Sequence, residues 1–184
     1  MGWLVDATNE TITQGSVIDG IQWGLEPNPL GIVLSNPCDL EWGNASYLLV
    51  ASLIPAKKTI QISKEYQQKV ENFKNNELSK SKWKSFSNYF TQFVNNQNII
   101  RYFFINPTKV IKAPLFFVDF QHIITIPIDK KDTLETVAKL PSPFREKMIM
   151  HFSSYISRLG LDRENMDELD SLITDLADPY YMAP

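Results

Sequence analysis

The chain has 184 residues, of which 43% are hydrophobic and 12% aromatic, and this composition excludes an intrinsically disordered polypeptide. A net charge of -3 and an isoelectric point near 5.4 disfavour attraction of the whole molecule to nucleic acid or to an anionic membrane. One cysteine excludes an internal disulfide, no apolar run is long enough to span a bilayer, and the chain start lacks a signal-peptide pattern. We therefore expect a cytoplasmic protein without a membrane contact.

The first third of the chain has the pattern of short β-strands. The stretch GSVIDGIQW alternates partly between apolar and polar residues, and the breaker-rich GLEPNPLG follows it. Two apolar runs, GIVLS and SYLLVASLI, come next, separated by a turn-rich stretch that contains Asn36, Pro37, Gly43 and Asn44. These runs predict a pair of buried antiparallel strands.

A lysine-rich segment with helical composition follows. Lys57 to Lys84 contains eight lysines, three glutamates and no glycine or proline. Ser63 is the predicted N-cap of a first helix, and a second helix comes after it. Apolar residues spaced by three and four define the buried face of each helix. They are Tyr66, Val70 and Phe73 in the first helix and Trp83, Phe86, Phe90 and Phe93 in the second.

Strand character returns from Ile99 to Ile128, where the runs are rich in Ile, Val and Phe. The helical segment, residues 63–98, is therefore interpreted as an insertion between two strand groups of one sheet. The predicted fold class is α+β, with a strongly bent antiparallel sheet or SH3-like β-barrel, the helical insertion and C-terminal helices. Residues 1–161 are assigned to this single domain.

Two further helices are predicted after the second strand group. Asp132 and Glu135 fit a capping box that opens a short helix over TLETVAKL. Ser142, followed by Pro143, is the predicted N-cap of a longer helix that ends at Gly160. The apolar stripe of this longer helix consists of Phe144, Met148, Phe152, Tyr155 and Leu159.

The last segment, residues 162–184, is predicted to be an acidic amphipathic helix followed by a short tail. It has seven acids and one arginine between residues 162 and 178, while apolar residues keep helical spacing. An acidic amphipathic helix is suited to dock on a partner protein or on its own domain. The residues proposed for docking are Met166, Leu169, Ile173 and Leu176.

Cys38 is the first candidate for chemistry, because a thiol at a strand end can be exposed and activated by a neighbouring base. Cys38, Asp39 and His122 form a candidate catalytic set if the strands that carry them are neighbours. The alternative interpretation is a small residue at the end of a strand and a histidine held within the sheet. Asp39 beside the thiol would disfavour a thiolate by repulsion between like charges.

Carboxylates at strand ends could hold Mg²⁺ or act as acid and base, and the candidates are Asp39, Glu41, Asp119 and Asp129. Such residues are also common in turns and caps, so no metal is predicted. One cysteine and two distant histidines do not form a zinc ligand set by local spacing. The sequence also lacks the glycine-rich and other cofactor motifs, and no cofactor is predicted.

Lysines and aromatic residues interleave at the end of the lysine-rich segment, in Lys80, Lys82, Trp83 and Lys84. Such a patch could neutralise phosphates while aromatic rings stack on bases, so binding of nucleic acid through Lys57 to Lys84 is a possible function. The segment has no arginine, the residue that reads bases with a fixed fork of donors. A solvated helical face with its aromatic residues in the core is the favoured alternative.

The layout GSVIDGIQW, a loop, GIVLSN and YLLVASLIPA resembles the opening of the SH3-like barrel of MazF/PemK-type toxins over about residues 15–56. That resemblance implies a small β-barrel and a ribonuclease activity that uses a basic residue of the first loop. Here the loop GLEPNPLG has no lysine or arginine, and Gly31 stands where the family has an arginine.

A second resemblance is to uncharacterised small bacterial proteins that carry VLSxxCDL early and SPFRE followed by YxxRLGL late. In this sequence the matching stretches are Val33 to Leu40, Ser142 to Glu146 and Tyr155 to Leu161. This resemblance covers most of the chain and implies functional roles for Cys38, Asp39 and Arg145, the last as a binding residue.

These observations favour a non-enzymatic binding or accessory subunit, of a bacterial toxin–antitoxin or phage-defence assembly, whose partner is another protein subunit. The opposite charges of the lysine-rich segment and the acidic C-terminal segment support this interpretation. A MazF-like ribonuclease with a divergent site is the first alternative, and a cysteine-dependent hydrolase is the second.

Overall fold

A computed structural model of the chain describes residues 3–24, 30–64, 66–68, 71, 80–96, 101–106 and 115–157. The strands are β1 (Val5–Asp6), β2 (Ser16–Asp19), β3 (Gly31–Val33), β4 (Tyr47–Pro55), β5 (Tyr102–Ile105), β6 (Phe116–Pro127) and β7 (Glu135–Lys139). The helices are α1 (Pro37–Glu41), α2 (Ala56–Ile62), α3 (Lys80–Val94) and α4 (Phe144–Ile156), with a 3₁₀ helix at Ile128–Thr133.

The described strands form one antiparallel sheet in the order β1-β7-β2-β3-β4-β6-β5, and the sheet curls strongly into a half-barrel. This architecture confirms the predicted α+β fold class with a bent antiparallel sheet. The predicted pair of strands around residues 31–54 is also confirmed, because β3 pairs antiparallel with β4. The turn-rich stretch between them holds the short helix α1.

The two strand groups predicted from the sequence meet at the centre of this sheet. Strand β4 pairs with β6 from Tyr47, opposite Pro127, to Pro55, opposite Phe116. Their inward side chains, such as the fully buried Leu53 and Val118, belong to one core cluster. Residues distant in sequence therefore share one interior, and the lysine-bearing helices lie between the two groups along the chain.

A bulge bends β6 where it passes the middle of β4. Ala51 lies opposite Ile123, whereas the next residue, Ser52, lies opposite Asp119. Residues 120–122 of β6 consequently have no partner on β4. Extra residues on one strand increase local twist and bending, so this bulge helps to curl the sheet.

The N-terminal segment forms one border of the sheet as β1 and contacts the other border next to β5. Val5 in β1 pairs with Lys139 in β7, and two residues earlier the Trp3 N–H donates to the Asn106 carbonyl at 3.1 Å, just past β5. Helix α4 packs on the main core cluster, in which its Met148 is fully buried. Phe144, Phe152 and Tyr155 pack on that cluster too, which confirms this part of the predicted stripe; Leu159 lies outside the described residues.

The predicted helix over TLETVAKL is wrong, since Glu135–Lys139 is strand β7 and Asp132 lies in the 3₁₀ helix. The segment has helical composition, but its burial alternates along the strand, with Thr136 and Ala138 inside. Pairing with β1 on one side and β2 on the other satisfies its backbone groups. Tertiary pairing here overrules local propensity.

Helix caps were predicted with mixed success. Ser63 does accept a hydrogen bond from the Tyr66 N–H at 3.2 Å, as a cap should, but helical structure already begins at Ala56, directly after β4. The predicted cap at Ser142 is wrong, because α4 begins at Phe144 and has no side-chain cap. Pro143 occupies the N-cap position, and its side chain has no oxygen that could accept from a first-turn N–H.

Several predicted residues lie outside the part of the chain that the structure describes. They are Val70, Phe73, Gly160, the boundary at residue 161, the docking residues Met166, Leu169, Ile173 and Leu176, and the side chains of Lys82, Trp83, Phe86, Phe90 and Phe93. Over the described ranges, no helix combines the length and apolar character that crossing a membrane requires.

Candidate binding cleft

A cleft of about 500 Å³ lies where the N-terminal segment, β5, the end of α3 and α4 meet. Its floor is aromatic. The Trp3 ring stacks on Phe144, with centroids 4.7 Å apart and 12° between the planes, and it also packs on Phe103 at 6.0 Å. Aromatic pairs of this kind stabilise a fold by about 1 kcal/mol beyond burial of their area. The floor is therefore a preformed apolar surface. We call the floor and its rim together the α4 cleft.

One face of α4 forms a wall of the α4 cleft. Lys147, Met150, His151 and Ser154 recur at spacings of three and four residues, which places them on adjacent turns of the helix. Met150 is 70% exposed, so its apolar side chain is open to a ligand of the cleft. The Lys147 ammonium lies 5.8 Å from the centroid of the Phe144 ring, within reach of a cation–π contact.

His151 sits deeper in this wall. Its ring packs edge-on against Phe103 at 5.7 Å and lies tilted against Phe120 at 5.9 Å. These contacts join α4 to β5 and to the bulge of β6. His151 was not among the site residues predicted from the sequence, although its spacing of four residues from Lys147 on one helix was a signal that could have identified the pair.

The opposite rim comes from the end of α3. Asn96 adopts a left-handed backbone conformation, with φ of 54°, that ends the helix. Its side-chain oxygen accepts a hydrogen bond from the Phe104 N–H, and its amide nitrogen donates to the Phe104 carbonyl at 3.5 Å. Because β5 is a border strand of the sheet, this amide replaces the neighbouring strand that Phe104 lacks.

The charge of the α4 cleft is positive. Among its described lining residues, Lys147 is the permanent cation and none is a carboxylate. The amides of Asn95 and Asn96 add neutral donors and acceptors at the rim. The site therefore suits a ligand that combines an apolar or aromatic group with a negative charge.

The predicted catalytic residues lie elsewhere. Cys38 is exposed in the first turn of α1, and its N–H donates to the Asn36 side chain at 2.9 Å. His122 lies in the bulge of β6, with its ring edge-on to Trp23 at 4.8 Å. Within the described ranges, no hydrogen bond or ring contact joins Cys38 to His122. Their joint role with Asp39 stays a prediction.

Asp119 is a buried carboxylate that forms an ion pair within the sheet. It is 4% exposed and binds Arg101 through two hydrogen bonds, Nε–H to Oδ1 at 2.8 Å and Nη2–H to Oδ2 at 2.7 Å. The Gln121 N–H donates to the same carboxylate at 3.0 Å, which fixes the start of the bulge. This partnership raises the pKa of Arg101 above its usual value, since Asp119 accepts its hydrogen bonds. Burial raises the pKa of neighbouring Tyr102, and the Asp119 charge adds to that effect.

No group of three or more His, Cys, Asp or Glu side chains is placed to hold a metal ion in the described part of the chain. The predicted basic residues separate into two places. Lys80 and Lys84 are exposed on α3, whereas Arg145 on α4 pairs with Glu146 at 2.6 Å. The Glu146 pKa is lowered by its backbone hydrogen bond and by this arginine.

Gly31 explains one departure from the MazF/PemK pattern. A Cβ atom at this position would lie 2.5 Å from Ile21 and 2.6 Å from Val50, with Trp23 at 2.9 Å. The space that an arginine would need is therefore filled by core side chains. No protein-family model matches the sequence, and a search of curated proteins returns no significant match. The chain is thus defined by its fold, a curled antiparallel sheet with an aromatic cleft beneath α4.

Proposed function

We propose that the protein is a non-enzymatic binding subunit that holds another protein in the α4 cleft. The single observation that carries this proposal is the exposed Met150 beside a stacked aromatic floor. The proposed setting is a bacterial toxin–antitoxin or phage-defence assembly, as the resemblances of the sequence imply.

Apolar anchoring is the first part of the proposed recognition. Protein interfaces concentrate their binding energy in a few apolar or aromatic side chains that enter well-packed pockets. The volume of the α4 cleft, about 500 Å³, lies in the range of about 300–1,000 Å³ that is typical of binding pockets. Methionine has an unbranched, adaptable side chain, so Met150 can adjust to the anchor of a partner.

Charge is the second part of the proposed recognition. Lys147 lies at the edge of the aromatic floor and has no carboxylate beside it among the cleft residues that the structure describes. A partner segment that places an acidic residue next to its apolar anchor would bind Lys147 while the anchor covers the floor. Such a segment has the chemistry of an acidic amphipathic helix.

A photo-crosslinking experiment in the native host tests this proposal. Met150 is replaced by p-benzoylphenylalanine, and the matched control places the same group at Ile62, which is 66% exposed on α2. We expect one protein to be captured from position 150 and not from position 62. Met150→Glu should abolish co-purification of that protein, whereas Ile62→Glu should not. A monodisperse monomer with equal crosslinking at both positions would contradict the proposal.

The MazF-like ribonuclease is a second candidate, favoured by the strong curl of the sheet across β2, β3 and β4. Residues 1–56 contain no lysine or arginine, so a catalytic cation would have to come from a later segment. Incubation with single-stranded RNA, with and without Mg²⁺, distinguishes this candidate, because a binding subunit leaves the RNA intact.

The cysteine-dependent hydrolase is tested by thiol labelling. Cys38 is the one cysteine of the chain and it is exposed, so its alkylation rate can be measured directly. A catalytic thiol should react well above the rate of free cysteine at neutral pH. A rate no higher than that of free cysteine would remove this alternative.

A further inference from the structure

A second surface of the molecule exposes aromatic side chains, in a different place and with the opposite charge. It consists of α1 and the turn after it, residues 36–47, which we call the α1 loop. Trp42 is 76% exposed and Tyr47 is 58% exposed. Trp and Tyr are enriched in the hot spots of interfaces, where their large rings supply contact area.

Hydrogen bonds hold the α1 loop in one compact shape. The Asn36 side chain caps α1, and the Trp42 N–H donates to the Cys38 carbonyl at 3.0 Å. The Asp39 carbonyl accepts from Asn44 at 2.9 Å and from Ala45 at 3.1 Å, so the turn folds back on the helix. The aromatic side chains are therefore displayed by a fixed backbone, which lowers the entropy cost of binding.

The geometry of α1 determines which side chains flank Trp42. Leu40 is partly buried and packs on the second core cluster, so it marks the inner side of the helix. Successive residues turn by 100°, which places Cys38 and Trp42, four residues apart, on the outer side. Asp39 and Glu41 then lie on the two sides of this outer stripe, and both are exposed.

We propose that the α1 loop is a docking surface for an arginine-bearing segment of a protein partner. Charge complementarity carries the choice of occupant. Trp42 offers a ring face on which a guanidinium can stack, and Asp39 and Glu41 offer carboxylates on both sides of it. Among the described residues, neither Asp39 nor Glu41 forms an ion pair with a basic side chain, so both carboxylates remain available to a cation of the partner.

The same features disfavour other occupants. Phosphates of nucleic acid and anionic lipid headgroups would be repelled by Asp39 and Glu41. Arginine should bind better than lysine, because its planar group stacks on an aromatic ring and forms paired hydrogen bonds to carboxylates. This surface does not include residues of the α4 cleft, so its occupation is independent of the function proposed above.

Fluorescence anisotropy of three labelled peptides tests the proposal on the full chain: GRSRGRSRG, its lysine version and its glutamate version. We expect the arginine peptide to bind at least threefold more tightly than the lysine peptide, and the glutamate peptide not to bind. Trp42→Ala should weaken binding about tenfold, and Asp39→Asn with Glu41→Gln about fivefold. Ile62→Ala, at an exposed residue of α2, is the control and should leave binding unchanged.

Alkylation of Cys38 gives a second measurement at the surface itself. Because Cys38 lies one helical turn from Trp42, the bound arginine peptide should slow its reaction with iodoacetamide, and this protection should disappear in Trp42→Ala. Binding that stays within twofold in Trp42→Ala and in the double charge variant would overturn the proposal. So would binding to phosphatidylcholine vesicles in preference to the arginine peptide, or dimerisation of the lone protein that Trp42→Ala abolishes.

Discussion

Asp119 in β6 and Asp39 in α1 are acidic residues whose surroundings differ completely. Asp119 is 4% exposed, and its oxygens accept hydrogen bonds from Arg101 and Gln121 that hold the bulge. Asp39 is exposed, and its hydrogen bonds within the α1 loop are made through its backbone carbonyl. The same residue type therefore supports the fold in one region and leaves a carboxylate exposed to solvent in the other.

The largest effect expected from this difference is a loss of stability in Asp119→Ala. The substitution leaves the Arg101 guanidinium without its partner and removes the acceptor of the Gln121 N–H. We expect a decrease of about 3 kcal/mol in the free energy of unfolding, at the low end for a broken buried pair because Arg101 is partly exposed. Urea denaturation measures this change. Asp39→Ala is the matched control, and an equal loss in both variants would contradict the comparison.

A smaller loss of stability is expected at Gly31, where the barrel interior is tightly filled. Gly31→Ala places a methyl group against Ile21, Val50 and Trp23 at distances that require movement of these side chains. Overpacking of this kind costs about 1–3 kcal/mol. Gly43→Ala is the control for backbone strain, since Gly43 has a positive φ but open space around it. A Gly31→Ala protein as stable as the wild type would show that the core adjusts freely.

A weaker, pH-dependent effect is expected beside Asp119. The folded-state pKa of Tyr102 is raised by burial and by the Asp119 charge. The unfolded chain therefore loses this proton first, and the stabilising contribution of Tyr102 is present below about pH 10 and is lost as the pH rises through the folded pKa. The thermal midpoint should fall more steeply above pH 10 in the wild type than in Tyr102→Phe. Parallel curves for the two proteins would contradict this assignment.

The smallest effect on stability is expected in the α1 loop. Trp42→Ala removes a side chain that is 76% exposed, so the free energy of unfolding should change by less than about 0.5 kcal/mol. Urea denaturation measures the change, alongside the peptide binding that the same variant should lose. A loss of more than 1 kcal/mol would mean that Trp42 packs on the fold, and the contrast between the two regions would fail.

Sequence patterns were sufficient for elements whose burial has a simple period. Strands β3 and β4 are short apolar runs between breakers, and α4 has an apolar stripe with Met148 at its buried centre. Strand β7 was assigned as a helix because its partners, β1 and β2, are more than 100 residues away in the sequence. Local composition carries no information about pairing at that distance.

The candidate sites were harder to predict for a related reason. The α4 cleft joins Trp3, the pair Asn96 and Phe103, and α4, and long stretches of chain separate these three parts. Trp42 was not selected, because composition does not distinguish an exposed tryptophan from one in the core. Cys38 was selected for an expected strand-end position and a sequence resemblance, and His122 as an imidazole on a predicted strand, but the fold gives each a different neighbourhood.

The bond between Trp3 and Asn106, next to the pairing of Val5 with Lys139, has a consequence for folding order. Residues 3–6 are synthesised long before residues 106 and 139. They must therefore wait for the synthesis of β7 before both of their docking places exist. Contacts over such distances slow folding, so closure of the half-barrel should be a late step in biosynthesis.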